Sequence, residues 1–368
     1  MNYHRMPIEI EAPEGFGYDK IDCNLSESSV TDQKLSDLGI DLHNLTLFYG
    51  DHLGLPSLRE IIAKDAGLSH ENILTTSGAA AALFITATSL LNKGDHAVIM
   101  KTNYATNIET PRMIGANISF LNLTFENNYR LDLDGLDSLI TKDTKLVSLT
   151  YPHNPTGVMI DQNTLKQIIA IIEKKGTYLL LDETYREMTF GDKLPVAASL
   201  SNRVISVSSM SKAYGLPGIR MGWLSCQNKK LMETFLAAKE QIFITNSVVD
   251  EEIAFHYLSK KEKHFAPIQQ SIKKNFNILK NFMDNQNTLE WIEPKGGCVC
   301  FPRIRPSIKI DLQKFHYDLL HNYGTYVGRG TWFEVDDRYF RIGYNWDKTE
   351  KLEKGLQNIL KAIEGAIL

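Results

Sequence analysis

A chain of 368 residues, 43% hydrophobic and 23% charged, is long enough for one large domain with a substantial core, or for a large and a small one. A formal net charge of -4 and a pI of about 6.2 supply no basic field to hold nucleic acid or an anionic membrane. The apolar runs fall far short of the ~18 residues that a membrane span needs, and the first residues lack the apolar core of a signal peptide.

In chain order, residues 1–45 read as irregular, with acidic and Ser/Thr-rich pieces such as Asn24-Leu25-Ser26-Glu27-Ser28-Ser29. From Leu47 an aromatic-glycine loop leads into a helix with Pro56 in its first turn and Leu58, Ile61 and Ile62 on one face. Apolar runs at 72–75, 97–100, 118–121, 146–150, 178–181, 204–207 and 221–225 then alternate with amphipathic stretches at 79–91, 107–115 and 163–174. That alternation predicts an α/β fold with a seven-stranded, mostly parallel sheet covered on both faces. Such sheets carry their sites at the C-terminal ends of the strands. After residue 226 charged helical stretches (229–239, 251–260, 267–284) lead into an α+β pattern. There 291–304 and 338–346 read as strands and the last eighteen residues as an amphipathic helix. Residues 46–254 are therefore expected to form a large domain, and 1–45 with 255–368 an N-terminal arm and a smaller α+β domain. The four cysteines, Cys23, Cys226, Cys298 and Cys300, read as buried apolar thiols in a reducing cytoplasm, because a lone C-x-C pair without nearby histidines is poor evidence for a metal.

The chemistry-bearing residues follow the strands. Ser77, Gly78 and Ala79 open an alanine-rich helix, where free N–H groups and the positive end of the helix dipole suit an anion, or where ordinary capping suffices. Tyr104 follows the second run, placed to stack on a flat ligand or simply to pack. Tyr151-Pro152-His153-Asn154-Pro155-Thr156-Gly157 is a rigid turn that presents the Asn154 amide. Asp182 ends a wholly apolar strand, so it needs a cation or a metal, and no second acid cluster supports a metal. Tyr185 lies three residues on. Lys212, among Ser208, Ser209 and Ser211 and followed by Arg220, is either a surface cation or an amine held for a carbonyl. Anion cradle, stacking ring, amide, phenol, carboxylate, lysine and arginine together fit pyridoxal 5′-phosphate.

Asn154-Pro155-Thr156-Gly157, Asp182 with Tyr185, and Ser209-x-x-Lys212 followed by Gly215-Leu216-Pro217-Gly218-x-Arg220 resemble the signature of the class I/II aminotransferases, fold type I pyridoxal-phosphate enzymes. The similarity runs from Tyr49 to the C-terminal helix. It implies that Lys212 is the amine that bonds to the cofactor aldehyde and later carries the substrate α-proton. Asp182 would face the ring nitrogen, Asn154 and Tyr185 the ring oxygen, and Tyr104 the ring face. Ser77, Gly78, Ala79, Ser209 and Arg220 would hold the phosphate, with Ser211 a lesser candidate. Tyr49 would reach the phosphate in a partner subunit, which implies a homodimer with shared sites. Arg341, helped by Asn154, would grip the α-carboxylate of an L-amino acid or a 2-oxo acid. Two departures bear on substrate choice: Gly328-Arg329-Gly330-Thr331 is expected to add a cation near the substrate mouth, and Cys298 and Cys300 stand where an aromatic is common. The N-terminal arm is also similar to the capreomycidine-synthase-like subgroup, so elimination or cyclisation on the same cofactor is the alternative to transamination.

Overall fold

Short apolar runs become the strands around which the chain is layered, in a computed structural model that describes residues 1–368. A first strand, β1 (Cys23–Leu25), stands apart from the main sheet. That sheet contains β2 (Ile73–Ser77), β3 (His96–Lys101), β4 (Asn117–Asn122), β5 (Thr144–Thr150), β6 (Tyr178–Asp182), β7 (Val204–Ser209) and β8 (Met221–Cys226). Their order is β2-β8-β7-β6-β5-β3-β4, and only β8 runs against its neighbours. Leu179, Leu180 and Leu181 in β6 are at most 2% exposed, as a strand covered on both faces requires.

The covering helices form for local reasons. Helix Gln162–Lys175 buries Leu165, Ile168, Ile169 and Ile172, one stripe at the helical period. Asp161 accepts a hydrogen bond from Thr164 N at its start, and Gly176 closes it in the left-handed conformation (φ 73°). Each such buried aliphatic side chain contributes roughly 1.5–3 kcal/mol of transfer free energy. No helix is long and apolar enough to cross a membrane.

Downstream lie β9 (Leu289–Glu290), β10 (Val299–Cys300), β11 (Arg303–Ile304), β12 (Thr325–Arg329) and β13 (Phe340–Gly343). A second sheet has the order β1-β12-β13-β10, with β1 parallel to β12. Helices Leu312–His321 and Thr349–Ala366 pack beside it. Residues 1–45 are thus less irregular than expected: β1 is there, with helical turns at Pro7–Ile10, Pro13–Phe16 and Leu35–Leu38. The strand expected over 291–304 shrinks to β10 and β11, because Pro294 and the Gly296-Gly297 pair interrupt the ladder. All four cysteines are buried free thiols.

Register decides what the fold delivers to one place. Thr150 pairs with Asp182 and Asp182 with Val207, so β5, β6 and β7 end side by side. The turn bearing Asn154, the Asp182 carboxylate and the loop bearing Lys212 therefore leave the sheet at one edge. β13 brings Arg341 to the same edge from the other sheet, where Nη1 donates to Asn154 Oδ1 at 3.1 Å.

Candidate active site

A cavity of about 580 Å³ opens at that edge. Lys212, Asp182, Tyr185, Asn154, Tyr104 and Arg341 line it, and so do Ala79, Ser209 and Arg220. Three expected residues do not: Ser77, Gly78 and Tyr49.

Its anion end is built from backbone. Helix Gly78–Leu90 begins without a side-chain cap, so its first N–H groups are left for a ligand. Gly78 stands beside the Arg220 guanidinium (a Cβ there would lie 2.6 Å from Nη2) and has a φ of +72°. Arg220 Nη1 donates to Ser211 Oγ at 3.3 Å and to Pro217 O at 2.8 Å, and Ser209 Oγ accepts from Ser211 N. Ser211, the lesser candidate, thus lies in the cavity and against the arginine. A Cβ on Gly222 would meet Ala79 N at 2.6 Å, inside the helix start itself. Gly222→Ala is expected to lower stability by about 1–3 kcal/mol through this overpacking and to weaken pyridoxal-phosphate affinity. Gly191→Ala, with open space around its Cβ, is the control and should change neither. Thermal unfolding and a cofactor titration of the two variants check both statements.

The carboxylate end of β6 is buried without a cation on it. Asp182 Oδ1 accepts from Thr184 N (3.1 Å) and Thr184 Oγ1 (2.6 Å), and Oδ2 from Asn107 Nδ2 at 3.5 Å. Burial raises its pKa above the carboxylate range, and the Thr184 bonds only partly offset this. No cluster of three potential metal ligands exists in the chain. Burial likewise lowers the Lys212 pKa; nearby Glu27 pulls it back up, and Arg341 lowers it further.

Arg341 is 3% exposed. Beyond its bond to Asn154, Nη2 donates to Ser26 O at 2.7 Å, and its guanidinium lies 5.8 Å from the Trp332 ring and 5.3 Å from that of Phe333. Its Nε is buried with no partner. A buried guanidinium N–H without an acceptor is costly, and a ligand carboxylate is the natural acceptor. Asn154 gives its oxygen to Arg341, which leaves its amide N–H pair free to donate into the cavity.

Some expectations shift. Tyr185 OH donates to Ser28 O at 2.8 Å, so its proton is already engaged. Arg329 adds no cation to the cavity: it forms an ion pair with Asp337 and lies 3.6 Å from Glu11. Tyr49 is 81% exposed and far from being a wall of this cavity. Sequence reasoning missed Asn107 and Thr184, which belong to no motif, and the segment Ser26–Ser28, whose two carbonyls hold Arg341 and Tyr185. Thr184 was the recoverable one, since a hydroxyl two residues beyond a buried aspartate is a common local partner.

An uncapped helix start beside an arginine, a buried acid lacking a cation, a desolvated lysine and an orphaned arginine N–H fit the phosphate, ring nitrogen and aldehyde of pyridoxal phosphate and the carboxylate of its substrate. On this sheet topology they define a fold type I pyridoxal-phosphate enzyme. The chain belongs to the class I and II aminotransferase family, whose model matches residues 25–359, and its cofactor is pyridoxal 5′-phosphate. It is similar to an aspartate aminotransferase of Pyrococcus horikoshii, 28% identical over 331 residues that cover 86% of this chain and 83% of that one. It is equally similar to a capreomycidine synthase of Streptomyces vinaceus, 28% identical over 324 residues, 87% of this chain and 82% of that one. Among solved structures, a PLP-dependent aminotransferase from Streptococcus suis superposes with a TM-score of 0.91 at 25% identity, covering 100% of this chain and 99% of that one.

Proposed function

We propose that the protein moves the amino group of an L-amino acid to a 2-oxo acid. The observation that carries this reading is the pairing, in one cavity, of a desolvated Lys212 with an Arg341 whose Nε waits for an acceptor. When bound, the cofactor supplies an aldehyde to take the amine and a ring to accept electron density as the α-proton leaves. Ser209, Ser211 and Arg220, with the first N–H groups of helix Gly78–Leu90, hold the phosphate. Asp182, oriented by Thr184 and Asn107, holds a proton at the ring nitrogen. Asn154 donates to the ring oxygen, and Tyr185 turns its hydroxyl from Ser28 towards the same atom. Tyr104 covers the ring face. Arg341 takes the α-carboxylate in its fork, which sets the Cα–H bond, and Lys212 Nζ removes and returns that proton. Tyr49, exposed on this chain, serves the phosphate of a second copy, so that the working unit is a homodimer.

The test is a half-reaction. Adding an amino acid alone to the holoenzyme is expected to shift the cofactor's visible absorbance to that of its aminated form, and a 2-oxo acid alone is expected to restore it. The likeness to a capreomycidine synthase supports a second reading, elimination or cyclisation on the same site. Release of ammonia or a cyclic product with no 2-oxo acid present would replace transamination with that reading.

A further inference from the structure

Asp182, Lys212, Arg220 and Arg341 already have roles above. Every other charged residue lining the cavity is an acid: Glu9, Glu14, Glu27 or Asp32. All four come from the N-terminal segment, and none of them pairs with a lysine or arginine of the chain. Two are fixed in place. Glu27 Oε1 accepts from Tyr18 OH at 3.1 Å, and Asp32 Oδ2 accepts from Trp346 Nε1 at 3.1 Å. The Tyr18 and Trp346 rings stack, with centroids 5.4 Å apart and planes at 21°. The backbone between the two acids and just after them is pinned to the site: Val30 N donates to Lys212 O (3.1 Å), Thr31 N to Asn345 O (3.0 Å) and Gln33 N to Gly215 O (2.8 Å). Gly343 lies directly under the Glu27 carbonyl, with no room for a side chain.

Two carboxylates at the edges of a stacked aromatic pair make a receptor for a cation, since charge and ring face attract it together. Burial raises the pKa of both Glu27 and Asp32; Lys212 and the bond from Tyr18 offset part of it at Glu27, and the bond from Trp346 with Lys212 part of it at Asp32, but neither carboxyl has a cation in direct contact. An anionic side chain would instead meet four like charges, and Arg329 is tied up by Asp337 and Glu11. A separate observation says that a ligand belongs here: the unpartnered Nε of Arg341, buried in the wall of the same cavity.

We propose that the amino acid taken by this site carries a cationic side chain, a guanidinium or an alkylammonium, received by Glu27 and Asp32 against the Tyr18–Trp346 stack. The proposal rests on the reading of the cavity as an amino-acid site given above. It is tested on the holoenzyme with L-arginine, its uncharged near-isostere L-citrulline, and L-aspartate, following binding by calorimetry and amine transfer by cofactor absorbance. Arginine is expected to bind about tenfold or more tighter than citrulline, with kcat/KM in the same order and aspartate last. In Glu27→Gln and in Asp32→Asn the arginine-to-citrulline ratio should fall towards one, with cofactor absorbance retained as the sign of an intact site. Transfer in which citrulline or aspartate matches arginine overturns the cationic assignment and leaves transamination standing, as does a ratio unchanged in both variants. Preferred binding of arginine with no amine transfer does the reverse: the assignment holds and transamination falls.

Discussion

Lys212→Ala is expected to lose amine transfer by about 10⁴-fold or more, the scale of a removed acid–base group that also forms the covalent link. Borohydride reduction of the wild type with pyridoxal phosphate should fix the cofactor on the peptide that carries Lys212, and should leave the variant unlabelled. Two features of the cavity make this residue the amine in question. Burial, with Arg341 and Arg220 nearby, lowers its pKa against the pull of Glu27, so more of the nucleophilic form is present at neutral pH. Its loop is also fixed, because Lys212 O accepts from Val30 N and Met210 N donates to Met221 O at 2.9 Å. Cofactor binding itself should survive in the variant, because the phosphate end does not use Lys212. Small free amines added to the variant should restore part of the rate, a rescue that a merely structural lysine would not allow. Wild-type turnover in Lys212→Ala, or labelling at another lysine, would remove the chemistry from this position.

The main sheet was legible because its strands carry a strong signal. β6 is wholly apolar up to Asp182, β5 and β7 have apolar centres, each of the three ends at a polar residue of the site, and the helix between β5 and β6 implies that those two are parallel neighbours. Lys212, Asp182, Asn154 and Arg220 stood out for the same reason: each interrupts or follows an apolar run where a solvated loop would not need it. The second half of the cavity was much less legible. β1 has three residues with Asn24 at its centre, and it earns its place only by pairing with β12 near the other end of the chain. No local period announces such a contact. Glu27 and Asp32 therefore read as members of a polar, Ser-rich arm, and only the hydrogen bonds to Tyr18 and Trp346 reveal them as cavity wall. Arg329 misled in the opposite direction. A cation beside two glycines looks available, but Asp337, eight residues on, neutralises it across the turn between β12 and β13.

Asp182→Asn should separate stability from catalysis. Burial raises the folded-state pKa of this carboxyl above its unfolded value of about 3.9. Over the interval between those two values the folded chain binds more protons than the unfolded chain. Stability therefore falls as pH rises through that interval, and the penalty is complete above the folded value. At pH 8, above the unfolded value, the cofactor-free wild type carries this penalty. The amide does not: its oxygen can still accept from Thr184, and its NH2 can donate to Asn107 once that side-chain amide turns its oxygen inward. The cofactor-free variant is accordingly expected to be more stable than wild type at pH 8, by about 1–3 kcal/mol, the range for burying a polar group without full compensation. Below pH 4 the two should converge, because both then present a neutral group. Catalysis should move the other way. Without a negative charge the ring nitrogen loses its partner in the step where charge develops, and kcat should fall by about 10²–10³-fold, with weaker cofactor retention. Thermal unfolding of both cofactor-free proteins at the two pH values, beside kcat for the loaded forms, measures each half. A variant that is less stable at pH 8 yet fully active would mean that Asp182 is a structural acid, satisfied by Thr184 alone, and that the ring nitrogen finds its anion elsewhere.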